Sequence, residues 1–179
     1  LQLLLGEEKL GDPVLPFFSQ LDVCLFADPG KEFMGDLKQD PHAVAGHIVV
    51  PGFAGGTANT EFDVLTGMQT NALAAGTTSS FRVVNRNLDS LFRVFDADGY
   101  RTSFFHPGDD WFYNRENVYR WFGAEETVFA DQMEALAYKG RWVTDDYMAG
   151  LIEQEFADTV AAGETLFHYT TTIQNHMSY

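Results

Sequence analysis

At 179 residues the chain has the size of one domain, and a 45% hydrophobic fraction with 16 Phe, 7 Tyr and 3 Trp excludes a disordered polar segment. A formal net charge of -15 excludes non-specific nucleic-acid binding, and an anionic substrate must be met by local cations, of which Arg115, Arg120 and Arg141 are the notable ones, or by a metal. The single cysteine, Cys24, excludes an internal disulfide framework and a thiolate metal cluster, and no stretch reaches the roughly 18–20 apolar residues of a membrane span.

In chain order, residues 1–5 are apolar but are soon broken by Gly6, Gly11 and Pro13. Phe17, Phe18, Leu21 and Cys24 recur at roughly helical spacing, which predicts a short helix over residues 16–24 with Pro16 in its first turn. Asp28-Pro29-Gly30 marks a turn, and residues 31–38 are a second short helical candidate closed by Asp40-Pro41. Neither His42 nor His47 has a second ligand beside it at metal spacing, so both are read as loop or strand histidines.

The chain is organised around residues 48–67. Ile48 to Val50 is a short β-branched run, Gly52, Gly55 and Gly56 permit a tight turn, and Phe62 and Leu65 give the following helix a buried face. Thr57 sits at the junction, beside unpaired backbone N–H groups and the positive end of the helix dipole, where a phosphate is favoured. The same residues also suit a plain helix start, with Thr57 or Asn59 as the cap.

Residues 71–85, rich in small and hydroxylated side chains, read as a crossing loop or broken helix anchored by Phe81. A helix over residues 87–98 has Leu88, Leu91, Phe92 and Phe95 on one face and Gly99 after its C-cap. A short aromatic strand, residues 100–106, follows, which is the rhythm of a parallel α/β sheet. The loop Pro107-Gly108-Asp109-Asp110 then lies at its C-terminal end, where open sheets bind ligands. Residues 114–122 form a helix with Val118, Trp121 and Phe122 inward, ended by Gly123. Arg115 in its first turn opposes the dipole, so either another interaction holds it or it is a solvated surface side chain. Thr144, Asp145 and Asp146 carry N-cap chemistry for a helix with Met148, Leu151, Ile152, Phe156 and Val160 on its apolar stripe and Glu153, Glu155 and Asp158 as the solvated face, ending by Gly163. Residues 164–173 are a strand, with Gln174-Asn175-His176 at its C-terminal end.

The string Gly55-Gly56-Thr57-Ala58-Asn59-Thr60-Glu61-Phe62-Asp63-Val64-Leu65-Thr66-Gly67 closely resembles the nucleophile segment of the lipoteichoic acid synthase family, phosphoglycerol transferases of the sulfatase and alkaline phosphatase superfamily. Two later stretches agree in order. His106 followed by Phe112-Tyr113-Asn114-Arg115 and Val118-Tyr119 is similar to that family's substrate-binding segment, and residues 172–179 are similar to its strand ending in Asn-His.

The resemblance implies an α/β fold, a mostly parallel sheet flanked by helices, with residues 1–179 a single partial catalytic domain. The opening at Leu1 and the stop at Tyr179 directly after a strand read as an excerpt of a longer protein. It implies Thr57 as nucleophile and metal ligand, and His106, Tyr113, Arg115 and His176 as substrate-binding residues. The implied cofactor is a divalent metal, manganese foremost and magnesium the alternative, with its remaining ligands outside this chain. The implied substrate is an anionic lipid phosphodiester such as phosphatidylglycerol, and the acceptor a glycerol phosphate or glycolipid. No protein partner is predicted, and the implied location is the cell membrane with the catalytic domain extracytoplasmic. Gly108 stands where some family members have an aspartate, and Gly-Gly-Thr-Ala-Asn-Thr is a variant of the nucleophile motif. The alternatives are a phosphoethanolamine transferase, a sulfatase or phosphodiesterase of the same superfamily, and a non-catalytic domain that binds anionic polymers.

Overall fold

The computed structural model describes residues 2–5, 17–20, 56–74, 77, 79–174 and 176. The strand expected at residues 48–50, the helix expected at 31–38, Cys24, His42 and His47 lie outside the described residues. The described strands are β1 (Gln2–Leu5), β2 (Phe17–Gln20), β3 (Arg101–His106), β4 (Glu126–Phe129), β5 (Tyr138–Lys139), β6 (Trp142–Val143) and β7 (Leu166–Thr170). The α-helices are α1 (Thr57–Thr66), α2 (Leu91–Ala97), α3 (Arg115–Phe122) and α4 (Asp145–Ala161).

Five strands make one sheet in the order β2-β1-β7-β3-β4, and β5 with β6 forms a separate hairpin. β3 runs parallel to both β4 and β7, with Ser103 opposite Glu126 on one side and opposite His168 on the other. β1 is antiparallel to β7 and to β2, so the parallel centre carries an antiparallel margin. The short helix expected over residues 16–24 is corrected here, since Phe17–Gln20 is the strand β2. Over so few residues the apolar spacing suits either state, and pairing along β1 decides it.

Alternation along the central strands sends side chains to two cores. Phe104 of β3 and Phe167 and Tyr169 of β7 join Ala58, Phe62 and Leu65 of α1, Phe92 of α2, and Val118, Tyr119 and Phe122 of α3. Phe105 faces the other way, toward Met148 and Ile152 of α4. The result is a sheet between two helical layers. The first core is aromatic: the Phe92 ring meets Phe167 edge-on at 5.2 Å and Tyr119 at 5.8 Å between centroids. Each such ring contributes roughly 1.5–3 kcal/mol by burial, with edge-to-face contacts adding to that.

The helix ends fall at the expected glycines, with Gly99, Gly123 and Gly163 all at positive φ. Two 3-10 turns, Thr70–Ala72 and Ser80–Arg82, follow α1, and Phe81 is fully buried between the helices as expected. The hydroxylated composition has a physical reason: the segment is hydrogen-bonded to α1. Thr70 donates from N and Oγ1 to Asp63 Oδ1 at 2.6 and 2.5 Å, and Ser80 donates from N to Asn59 Oδ1 at 2.8 Å.

Candidate active site

α1 begins at Gly56, whose φ of 88° is the left-handed conformation that glycine adopts without strain. No side-chain cap is formed, so the reading of Thr57 or Asn59 as a cap gives way, and Asn59 serves the Ser80 turn. Thr57, the first residue of the helix, is exposed, and among the described residues no hydrogen bond occupies its hydroxyl. The positive end of the α1 dipole favours an oxyanion at that position.

One turn further, about 6 Å along the axis at 1.5 Å per residue, stands Glu61. It occupies the buried face with Ala58, Phe62 and Leu65, and it is fully buried. Its Oε1 accepts from Nη2 of Arg115 at 2.6 Å and its Oε2 accepts from the Tyr119 hydroxyl at 2.7 Å. Arg115 is therefore no solvated surface residue; its side chain is 3% exposed. This pair is the interaction that holds a cation at a helix N-terminus against the dipole. Burial pulls the Arg115 guanidinium's pKa down, but the charge and hydrogen bond of Glu61 outweigh it and the net displacement is upward. The Tyr119 hydroxyl is pushed well above the usual tyrosine value, first by burial and then by Glu61, so it stays a donor. Arg115 Nε is buried and, among the described residues, has no hydrogen-bond partner, an uncommon state for a charged donor.

Tyr113 and Asn114 precede α3 with φ of 59° and 58°, the left-handed region that residues with side chains seldom adopt. Such a conformation costs on the order of 1–3 kcal/mol for a residue like Tyr and persists only where its surroundings impose it. Here it accompanies a Tyr113 ring stacked over the Arg115 guanidinium, 5.2 Å from the ring centroid.

His106 ends β3 at the C-terminal edge of the parallel strands, and it is buried. Its Nδ1 lies 2.7 Å from the Thr171 carbonyl just beyond β7, which assigns the proton to Nδ1 and leaves a lone pair on Nε2. Burial, and then the nearby positive charge of Arg115, lower its pKa from 6.5 to about 4. The imidazole is neutral at pH 7. The folded state binds the proton more weakly than the unfolded chain does. The stability this gives is fully present above pH 6.5 and is lost as pH falls toward about 4, at up to roughly 1.4 kcal/mol per unit. Urea unfolding across that range should show this slope, and His106→Asn, which keeps a donor for Thr171, should remove it.

Gly108 lies against this ring: a Cβ there would sit 2.5 Å from His106 Nε2. The absence of an aspartate at this position is thus a steric requirement of the loop as it stands. Gly108→Ala must displace the ring or the loop, and we expect a loss of about 1–3 kcal/mol in thermal unfolding.

His176 is exposed, with its ring 5.4 Å from that of Trp142. Tyr113 and Arg115 are in contact, His106 lies within electrostatic reach of Arg115, and Glu61 connects Arg115 to the Thr57 helix. Asn175 lies outside the described residues. No three His, Cys, Asp or Glu side chains converge on a possible metal position among the described residues. Thr57 offers one neutral oxygen and both oxygens of Glu61 are engaged, so the described residues do not complete a metal site.

The sequence profile of the sulfatase family matches residues 18–179. The chain belongs to the sulfatase family. This sulfatase-family chain is 31% identical over 134 residues to a putative cyclic beta-1,2-glucan modification protein of Rhizobium meliloti; the match covers 75% of the chain and 20% of that relative. It thus spans about a fifth of the curated relative's length. Among solved structures it is similar to the lipoteichoic acid synthase LtaP from Listeria monocytogenes, with a TM-score of 0.57, 18% identity, and 68% of this chain and 29% of that one covered. It is also similar to a protein of the alkaline phosphatase superfamily from Vibrio parahaemolyticus, with a TM-score of 0.55, 20% identity, and 65% and 29% covered. The α/β fold with its parallel strands and flanking helices is that of these structures.

Sequence reasoning assigned Glu61 no role, although a carboxylate at the 58, 61, 62, 65 helical spacing stands on an otherwise apolar face. It also placed Glu155 on a solvated face. The Glu155 side chain is 9% exposed and lies 2.7 Å from Nδ1 of the fully buried His168, which also meets Ser103 Oγ at 2.8 Å. This polar group joins α4 to the sheet on the face opposite α1.

Proposed function

We propose that the chain carries the nucleophile and head-group contacts of a metal-dependent phosphoglycerol transferase. The Thr57 oxygen attacks the phosphorus of a lipid phosphodiester such as phosphatidylglycerol. The bond to the diacylglycerol oxygen breaks and that alcohol leaves with a proton. The phosphoglycerol group, now esterified to Thr57, passes to an acceptor hydroxyl, and the threonine oxygen recovers a proton. The observation that carries this reading is the buried Arg115, with its unpartnered Nε, beside neutral His106 and under the Tyr113 ring, tied by Glu61 to the helix that starts at Thr57. A guanidinium so held suits a phosphoryl oxygen, and a neutral imidazole with a free Nε2 lone pair suits a head-group hydroxyl.

His176 is proposed as a further substrate contact. The proposed cofactor is a divalent metal, manganese or magnesium, which would lower the nucleophile's pKa and polarise the phosphoryl group; Thr57 would give it one oxygen. The proposed location is the cell membrane, with this domain extracytoplasmic. No helix among the described residues is long and apolar enough to cross a membrane. The acceptor is a glycerol phosphate or glycolipid, and the glucan modification named for the Rhizobium meliloti relative favours a second reading in which it is a glucan hydroxyl.

Product analysis of the full-length protein tests this. Phosphatidylglycerol, phosphatidylethanolamine and an aryl sulfate are each offered with manganese, with and without a glucan. Release of diacylglycerol from phosphatidylglycerol with transfer of phosphoglycerol supports the proposal. Exclusive turnover of either competitor assigns the chain to another branch of the superfamily.

A further inference from the structure

We propose that Glu61 is a positioning residue. It holds Nη2 of Arg115 in a fully buried ion pair, so that Nε stays free to donate to a phosphoryl oxygen, and it sets that guanidinium in register with the helix that begins at Thr57. The inference rests on Arg115 being a phosphoryl contact, as proposed above, and adds how that contact is aimed.

Three observations lead to it. Glu61 is fully buried and has both oxygens engaged, one by Arg115 and one by Tyr119, so its contacts in the structure are to α3. Arg115 and Tyr119 both belong to α3, four residues apart on one face, so a single carboxylate of α1 clamps the first turn of α3. Thr57 and Glu61 are likewise four apart on α1. Nucleophile, carboxylate and guanidinium therefore sit on two packed helices that this carboxylate ties together beside the Phe62–Phe122 contact. A shift of α3 relative to α1 would move the phosphoryl contact away from the attacking oxygen, and displacements near 1 Å are enough to slow such reactions about a hundredfold.

The test is a double-mutant cycle in the full-length protein, with phosphatidylglycerol as the probe and kcat and KM read separately. Arg115→Lys keeps a cation against Glu61 but has no Nε fork. Glu61→Gln keeps the shape but has one oxygen for the two donors. We expect each single variant to lower kcat/KM by about 10–100-fold, with the loss in the same parameter, and the double variant to be no worse than Arg115→Lys alone. Thermal unfolding checks that the fold is retained. Losses that multiply, a Glu61→Gln enzyme with normal kinetics, or a loss falling in kcat for one variant and in KM for the other would overturn the positioning role while leaving Arg115 as a contact. An Arg115→Lys enzyme with unchanged kinetics would instead remove Arg115 from the site, and with it the reading on which this inference stands. Failure of Glu61→Gln to fold while Arg115→Lys folds also overturns it, by making Glu61 a residue of stability alone.

Discussion

Replacing Thr57 with Ala in the full-length protein should lower the rate of diacylglycerol release from phosphatidylglycerol by at least roughly a thousandfold, the scale on which a covalent nucleophile is missed. The fold survives. Thr57 is exposed at the start of α1, its hydroxyl makes no hydrogen bond among the described residues, and Gly56 already supplies the turn. A surface change of this kind leaves stability within about 0.5 kcal/mol. Thr57→Ser keeps the hydroxyl proposed to attack and should retain part of the rate. Thr60, half-buried on the same helix, serves as the control, and Thr60→Ala keeps near-normal turnover. The opposite pattern, with Thr57→Ala active and Thr60→Ala dead, would move the nucleophile within the motif.

The second large effect is on stability. Glu61→Leu leaves Arg115 buried without its counter-charge and the Tyr119 hydroxyl without its acceptor, and should cost about 3–5 kcal/mol. Adding Arg115→Met removes the stranded charge. Buried ion pairs can be replaced by apolar side chains of similar volume at little cost, so the double variant should regain most of that loss. It should nevertheless have no transferase activity. Denaturant unfolding and the lipid assay on the same three proteins separate the two roles of the pair. A double variant as unstable as the single one would mean that the pair adds stability beyond mutual neutralisation.

Much of this was legible in the residues. The helices carrying Phe92, Val118 and Met148 announce themselves by apolar spacing, and Gly99, Gly123 and Gly163 mark their ends. The strand before His106 follows from its aromatic run. What was not legible depends on partners distant in sequence. Phe17–Gln20 reads as helix until β1 is there to pair with it. β4, four residues long, was not foreseen, nor was the β5–β6 hairpin, although two residues, Gly140 and Arg141, between short strands are a hairpin signal. The burial of Arg115 and of Glu155 could not be read locally, because their partners Glu61 and His168 lie on other elements. In the site, motif resemblance named the residues proposed to meet substrate, while the carboxylate that ties α1 to α3 emerged only from the packing of the two helices.

The most direct measurement is mass spectrometry of the full-length protein quenched during turnover of phosphatidylglycerol with manganese and no acceptor. A glycerophosphoryl group should be found on the peptide containing Thr57, localised to that oxygen, absent in Thr57→Ala and discharged when acceptor is added. Turnover at a normal rate with that peptide unmodified, or with the group on another side chain, would contradict threonine-mediated phosphoglycerol transfer.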